Sequence, residues 1–344
     1  MKNKEKIKYI DSAINRITNK SSKIYFYLVN YGDNKGSVLT TYKYATYLKK
    51  NGYNVTIIHN DGSYKKPEWI GDYYLDVDHE ALDSGKVKVN IDDVIVYPET
   101  HPDVMEKTKK INCTKIVLCQ SHKNMLAPLP PNINWTLLDI DFTITVSENM
   151  KKYIKETFHI DDFFIKVIEP SIDEEIFYID NNTYREPVIP VVSRNQSDIL
   201  ELAKQFYSRY PEYKMVSFKD MRGFSIDDFA TTLNESFLAI WLDRDASFGQ
   251  FPIECLKCNL PVIALKTDMD LPYDFDNIKW VNSTMDIPKM VFERVVDYLN
   301  DLNVHDYEDN DIYTTYNESN KVISTFNYFF TKKLTELENL KKKI

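Results

Sequence analysis

The sequence predicts an α/β protein made of two Rossmann-like, doubly wound halves. Apolar segments of strand length alternate with segments of helical spacing along the chain. The alternation stops at a polar stretch near residue 181 and then starts again. A chain of 344 residues is also too long for one ordinary core, and two domains of roughly 150–180 residues suit it better.

The first half opens with a βαβ unit. An apolar and aromatic segment at 23–29 predicts a strand, and a loop that contains Gly32 and Gly36 follows it. Helical spacing at 38–50 and an apolar segment at 54–59 complete the unit. Strand, glycine loop, helix and strand in this order are typical of the beginning of a doubly wound sheet.

The same alternation continues to the end of the chain. Further strands are predicted at 93–97, 115–119, 142–146, 166–170, 188–192, 214–218, 237–242 and 262–265. Helices are predicted at 151–156, 199–207, 227–233, 254–257, 286–303 and 319–342. Ser147 and Ser225 are the expected N-caps of two of these helices, and residues 181–187 are the expected linker.

Composition narrows the class of protein. No apolar run approaches the ~20 residues that a membrane span needs. The charged N-terminus lacks the apolar segment of a signal peptide. Four cysteines in so long a chain are not a disulfide scaffold, and they favour a reducing, cytoplasmic location.

The charge is unevenly distributed along the chain. The net charge is −9, yet residues 1–50 hold 11 Lys and Arg against 3 Asp and Glu. The last 24 residues are basic again. A basic first domain could meet an anionic acceptor, such as a phospholipid surface, a lipid-phosphate carrier, an anionic glycan or DNA. A lysine face that is only solvated is the alternative.

The most informative segment lies at 245–264. A turn at Ser247, Phe248 and Gly249 is followed by Glu254, by a short helical segment and by an apolar strand. This segment resembles the donor site of the retaining GT-B glycosyltransferases called glycosyl transferases group 1. The resemblance implies that the amides of the turn hold the diphosphate of a nucleotide-sugar and that Glu254 holds the ribose. An ordinary βα turn is the alternative.

Other positions match the family unevenly. Residues 146–148 and 167–177 resemble two of its ordered segments, and we expect them to be structural. The family has an Arg after the first strand of the second half and a Lys five positions later; both neutralise the leaving diphosphate. Arg194 matches the Arg, whereas Ile199 replaces the Lys and Lys204 lies further along the helix.

The first of the family's two acids, eight residues apart, also departs from the pattern. Ala246 occupies its position, and Asp245 stands beside it and could reach the same place. The chain is therefore identified as a divergent member, with its sugar specificity left open.

Two further site residues are expected in the first half. Gly36 is the better match to the glycine that lies over the donor diphosphate in the family, although the loop could be a plain turn. His122 follows the strand at 115–119, and the family often places a histidine there that contacts the donor sugar. A surface histidine is the alternative, and His59 and His101 have less support.

We expect no metal ion and no cofactor other than the donor, for which a UDP-sugar is the first choice. Cys255 and Cys258 have no second pair at zinc-site spacing, so they are expected to pack the helix. Three Asp-x-Asp strings, at 139/141, 243/245 and 268/270, resemble the metal-binding string of the GT-A fold. Two α/β halves argue against GT-A, and chance pairs are expected among 52 acidic residues.

The resemblance implies a GT-B fold, with two Rossmann-like domains that face each other across a cleft. We expect an acceptor domain at 1–180, a donor domain at 181–318 and a helix at 319–344 that packs back on the first domain. The implied reaction is transfer of a sugar to an acceptor hydroxyl of a surface glycan or lipid-linked sugar, with retention and without metal. Two alternatives stay open: a phage-type enzyme that glycosylates a modified DNA base, and a degenerate GT-B subunit that only binds a partner.

Overall fold

The computed structural model describes residues 3–28, 36–64, 67–71, 73–74, 77–180, 183–300 and 313–344. The chain divides into two compact units. The first unit contains 1–67, 72–169 and 316–344, and the second contains 68–71 and 170–315. The C-terminal segment therefore belongs to the first unit. The loop with Gly32 and the start of the polar stretch at 181–182 lie outside the described residues.

The first unit is built on a seven-stranded sheet whose registered strand pairs are all parallel. Its strands lie in the spatial order β3-β2-β1-β4-β5-β6-β7, so the winding direction reverses between β1 and β4. The strands are β1 (Lys23–Tyr27), β2 (Asn54–His59), β3 (Asp78–Ala81), β4 (Val94–Pro98), β5 (Thr114–Cys119), β6 (Phe142–Thr145) and β7 (Ile165–Val167).

Six helices of the described residues belong with this sheet. They are α1 (Asn3–Thr18), α2 (Gly36–Lys50), α3 (Pro102–Thr108), α4 (His122–Leu126), α5 (Glu148–Phe158) and α10 (Thr315–Lys342). The Ser147 side chain accepts a hydrogen bond from the Met150 N–H at 3.1 Å, which confirms it as the N-cap of α5.

The long helix α10 carries the apolar stripe that the sequence predicts. Phe326 and Phe329 on this stripe are buried, and Phe329 packs on Phe142 of β6 with ring centroids 4.5 Å apart. An ion pair is buried at the beginning of the same helix, where the Lys43 ammonium of α2 lies 2.7 Å from the Glu318 carboxylate. Both side chains are at most 3% exposed. Apolar packing and one internal charge pair thus attach α10 to the first unit.

The second unit is a five-stranded parallel sheet in the order β12-β11-β10-β8-β9. Its strands are β8 (Val188–Val192), β9 (Ser217–Asp220), β10 (Ala239–Trp241), β11 (Val262–Leu265) and β12 (Ile278–Val281). Its helices are α6 (Gln196–Arg209), α7 (Ile226–Glu235), α8 (Gln250–Lys257) and α9 (Ile287–Leu299). Counted within this unit, the strand order is 5-4-3-1-2, that of a doubly wound sheet.

The sequence prediction of β9 was shifted. Residues 214–218 were expected to form the strand, but it begins at Ser217. A 3₁₀ turn at Pro211–Tyr213 occupies the preceding segment, and the Val216 N–H donates to the Tyr213 carbonyl. The predicted strand therefore starts inside a turn.

Helix α1 and the edge strands β3 and β12 were not predicted. In α1 three residues are buried, Ile10, Ala13 and Ile17, so its apolar stripe is thin. Strand β3 reads Asp-His-Glu-Ala and has no apolar alternation. No helix of the described part of the chain has the length and hydropathy that a membrane span requires.

Candidate functional site

The candidate site lies where the winding direction of the second sheet reverses. Strands β8 and β10 are neighbours there, and the chain leaves them towards opposite sides. A crevice opens at the carboxyl ends of two such strands, and it is where ligands of doubly wound sheets bind. Strand β8 leads into Ser193 and Arg194, and β10 leads into the segment 242–249. The fold thus brings Arg194 and the predicted turn to one edge.

Arg194 forms ion pairs with two aspartates at this edge. Its Nε donates to Oδ1 of Asp243 at 2.7 Å, and Oδ2 of Asp245 lies 3.9 Å away. The Asp243 carboxylate also accepts the Asp245 N–H at 2.9 Å. The Arg194 side chain is 43% exposed, so this cation is neutralised locally but remains accessible from solvent.

The lysine that the resembled family has five positions after its arginine is replaced by Ile199 in this chain. Ile199 is 5% exposed and packs in the core of the second unit, beside Leu202 and Ile189. Lys204 is exposed, about two turns beyond the start of α6. Eight residues of helix span roughly 12 Å, so Lys204 lies far from the end of β8.

The predicted turn runs directly into α8. Ser247 and Phe248 are buried, and Gly249 is the N-cap of the helix with φ +74° and ψ 78°. A Cβ on Gly249 would lie 2.5 Å from Cη2 of Trp241 and 2.7 Å from Oη of Tyr273. Gly249 has no side chain to cap α8, so it leaves the amides of the first turn to other acceptors.

Glu254 lies on α8 one turn beyond this N-terminus and is half-buried. Burial and, second, the Glu254 carboxylate raise the pKa of the Cys258 thiol to about 12. Cys255 and Cys258 are both buried, and the Asn234 side chain donates to Cys258 Sγ at 3.7 Å. The expectation that this pair packs the helix is consistent with these contacts.

The site residues predicted in the first half lie at the carboxyl edge of the first sheet. His122 is the first residue of α4, is 9% exposed and packs edge-on against Tyr153 with ring centroids 5.8 Å apart. Ser121 caps this helix through the Asn124 N–H. Gly36 is the first residue of α2.

Glu99, which no sequence pattern indicates, follows β4 at the same edge. It is 2% exposed, and its carboxylate accepts hydrogen bonds from the backbone N–H groups of Gln120 and Ser121. Burial outweighs these bonds and raises the pKa of Glu99 to about 7. A buried carboxylate of this kind gives no local sequence signal, since its partners come from another strand.

His59 lies at the end of β2 and is also buried. Its Nδ1 is 2.9 Å from the Leu28 carbonyl, and its Nε2 is 2.8 Å from Nδ1 of His79. Burial and the neighbouring His79 lower the pKa of His59 to about 4. His101 precedes α3 and packs edge-on against Tyr27 at 5.5 Å between ring centroids.

The first two Asp-x-Asp strings contact other groups of the protein. Asp139 pairs with the Lys115 ammonium at 2.9 Å, and Asp141 accepts the Lys115 N–H at 2.8 Å. Asp243 pairs with Arg194 as described. Within the described ranges, no group of three or more His, Cys, Asp or Glu residues has an arrangement that could hold a metal ion.

No protein-family model matches this sequence. No curated protein matches it at a significant level. Solved structures do match. Sucrose-phosphate synthase from Thermosynechococcus elongatus has a TM-score of 0.58 and 12% identity, with 94% of this chain and 98% of that chain covered. TarM has a TM-score of 0.57 and 10% identity, with 92% and 98% covered.

A third similar structure is an α-glucosyltransferase in complex with UDP and a 13-mer DNA that contains an HMU base. Its TM-score is 0.56 at 13% identity, with 91% of this chain and 99% of that chain covered. The near-complete coverage of these chains, with two parallel α/β units here, confirms the predicted GT-B fold.

Proposed function

We propose that this protein is a glycosyltransferase that moves a sugar from a nucleotide-sugar to an acceptor hydroxyl. One observation carries the proposal: the turn at 247–249, the N-terminus of α8 and Arg194 meet at the reversal point of the second sheet. This is where a doubly wound sheet binds a phosphate-containing ligand. The GT-B fold of the similar structures supports the same conclusion.

Each residue has a chemical role in this proposal. The backbone amides of Ser247, Phe248 and Gly249 and those of the first turn of α8 hold the diphosphate. Arg194 neutralises the charge that the diphosphate gains as the glycosidic bond breaks. To do so Arg194 exchanges Asp243 for phosphate oxygens. Glu254 accepts hydrogen bonds from the ribose hydroxyls. The contact of His122 with the donor sugar and the position of Gly36 over the diphosphate stay predictions.

The stereochemistry follows the resembled family in this proposal. The anomeric configuration is retained, and the departing phosphate oxygen accepts the proton of the attacking hydroxyl while the sugar transfers to it. The proposed reaction uses no metal, and a UDP-sugar is the first donor to test because one similar structure contains UDP.

Nucleotide binding tests the donor site directly. We expect UDP or GDP to raise the melting temperature of the protein. At a ligand concentration of 100 times Kd, binding should add about 2.7 kcal/mol to the free energy of unfolding. The proposal also expects UDP to bind more tightly than 2′-deoxy-UDP, and Glu254→Gln to abolish most of that preference. Glu293→Gln on α9, whose partner is Lys289 on the same helix, is the matched control. Absence of binding by every nucleoside diphosphate, together with absence of sugar transfer, would refute the function.

The acceptor has two candidates. A surface glycan or lipid-linked sugar is the first, and a modified DNA base is the second. The α-glucosyltransferase in complex with DNA favours testing the second. The basic helix α1, with exposed Lys4, Lys6 and Lys8, supplies cations for phosphate contacts, whereas Lys43 is internal and does not.

Salt dependence separates these acceptors. A DNA acceptor predicts retention on duplex DNA at low salt that falls steeply between 50 mM and 200 mM salt. It also predicts an effect of changing Lys4, Lys6 and Lys8 together to Gln. The slope of log affinity against log salt concentration should become shallower by up to about three, or about one for each lost phosphate contact. Retention that does not depend on these lysines would favour the glycan or lipid acceptor.

A further inference from the structure

Tyr273 lies against the turn that we assign to the diphosphate. It comes 24 residues after Gly249 in the chain, yet its hydroxyl donates a hydrogen bond to the Gly249 carbonyl. It is 8% exposed, and burial raises the pKa of its phenol well above the ordinary value. The hydroxyl therefore remains protonated and remains a donor at every physiological pH.

The ring of Tyr273 is fixed by other aromatic residues. It stacks on Phe275 at 5.5 Å between centroids and an interplanar angle of 18°. It meets Phe248 of the turn edge-on at 6.0 Å. Tyr313 packs edge-on against Phe248 at 5.3 Å and so closes the cluster from another side. A ring held in this way cannot move without repacking its neighbours.

The backbone at Gly249 needs such a support. Its positive φ is a conformation that glycine shares with few residues, and glycine is also the most flexible residue in the chain. Trp241 limits the space on one side, because its Cη2 lies 2.5 Å from where a Cβ would be. Gly249 has no side chain that could make a contact, so the orientation of its peptide depends on groups that reach it from elsewhere.

We propose that Tyr273 is a positioning residue, which holds the Gly249 peptide so that the amides at the start of α8 face the diphosphate. The inference rests on the proposed nucleotide-sugar site. Tyr273 contacts the turn and not the reacting atoms. The Gly249 carbonyl that its hydroxyl holds shares one planar peptide unit with the N–H of Gln250, the first residue of α8, so the same hydrogen bond fixes the direction of that N–H.

Tyr273→Phe tests this role, and Tyr313→Phe is the matched control. Both variants keep the ring and lose one hydroxyl of the same cluster, but the Tyr313 hydroxyl donates to the Pro272 carbonyl at 3.4 Å, whereas the Tyr273 hydroxyl donates to the Gly249 carbonyl of the turn. The first measurement is amide hydrogen exchange of the peptide that spans 242–257, without nucleotide. Tyr273→Phe should exchange faster there than either the wild type or Tyr313→Phe.

The second measurement is the affinity of each variant for UDP and for uridine. We expect Tyr273→Phe to bind UDP roughly three- to tenfold more weakly, the range of one lost hydrogen bond, with unchanged affinity for uridine. Tyr313→Phe should leave both affinities unchanged.

Equal exchange and equal UDP affinity in the two variants would overturn the inference. So would a Tyr273→Phe protein that fails to fold while Tyr313→Phe folds, because the hydroxyl would then be a structural group. If the wild type binds no nucleoside diphosphate, the proposed function fails, whereas the exchange measurement still reports whether Tyr273 holds the turn.

Discussion

The two sheets present different chemistry at their reversal points. In the second sheet, the edge holds an exposed ion pair between Arg194 and Asp243 and a turn supported by aromatic rings. In the first sheet, the corresponding edge holds buried groups, Glu99 and His59, whose pKa values are shifted to about 7 and about 4. The edge of the second sheet thus presents fixed backbone amides and a solvent-accessible charge. The edge of the first sheet presents titratable groups, and burial makes their charged forms unfavourable.

Because of this difference, we expect the two units to respond to different changes in solution conditions. Backbone geometry and ionic strength should control ligand binding at the second sheet, because its charges are accessible to solvent. Solution pH should control the stability of the first unit, because Glu99 and His59 titrate with shifted pKa values.

Gly249→Ala should have the largest effect. The added Cβ would collide with Trp241 and Tyr273, and alanine disfavours the positive φ. Strain and overpacking together should lower the free energy of unfolding by about 2–5 kcal/mol. Gly223→Ala is the control, because Gly223 also has a positive φ, +78°, but no atom within 4 Å of a built Cβ. Urea unfolding measures both, and equal losses would show that the collision does not matter.

Glu99→Gln should remove a pH dependence of stability. The folded carboxyl has a pKa of about 7, above its ordinary value of 4.5, so the folded state holds a proton that the unfolded state has lost. Stability from this group is therefore greatest below pH 4.5 and falls as pH rises to 7, by about 3 kcal/mol.

His59 has the opposite effect, because its pKa in the folded state is lowered from 6.5 to about 4. The neutral His59 therefore stabilises the protein above pH 6.5, and this contribution is lost as pH falls from 6.5 to 4. The two effects partly cancel in the wild type. The difference in unfolding free energy between Glu99→Gln and wild type should therefore be measured from pH 4.5 to 8. It should change in favour of the variant as pH rises. A flat difference for Glu99→Gln would contradict the assignment.

Arg194→Ala should weaken UDP binding about tenfold and slow sugar transfer about a hundredfold, because the leaving diphosphate loses its cation. Arg209→Ala is the control, since Arg209 lies at the other end of α6 and donates to the Met285 carbonyl. Calorimetry and transfer rates measure the effect. Equal activity of the two variants would remove Arg194 from the site.

Asp243→Asn should have the smallest effect, in the opposite direction. It removes a charge that competes with phosphate for Arg194, and an exposed ion pair contributes up to about 1 kcal/mol. UDP affinity should rise by roughly two- to fivefold at low salt, and the gain should shrink at high salt. Weaker binding would instead mean that Asp243 holds Arg194 in its binding orientation.

Local patterns in the sequence were sufficient for much of the fold. Strands β2, β8 and β11 lie at the predicted positions, and Ser225 caps α7 as expected by accepting the Asp228 N–H. Apolar runs and capping side chains carry their own local signal. The edge strand β3 and helix α1 were missed because tertiary contacts, and not composition, determine them.

The residues of the candidate sites also differ in whether a local sequence pattern reveals them. Gly249 and Glu254 belong to one short segment, so their order could be recognised in the sequence. Asp243, Tyr273 and Glu99 gain their meaning from partners on other strands and loops, which no spacing rule reveals. The roles assigned to His122 and Gly36 remain predictions.

The buried pair of Lys43 and Glu318 means that the first unit is not complete without the C-terminal helix α10. Its two members are 275 positions apart in the chain, on α2 and on α10, and both are closed off from water. A truncated protein that ends at residue 169 would lose Glu318 together with the apolar stripe of α10, so Lys43 and the aromatic residues packed against that stripe would be exposed to water. A chimera that exchanges the second unit for that of another protein must therefore keep α10 of this chain, so that the first unit remains complete.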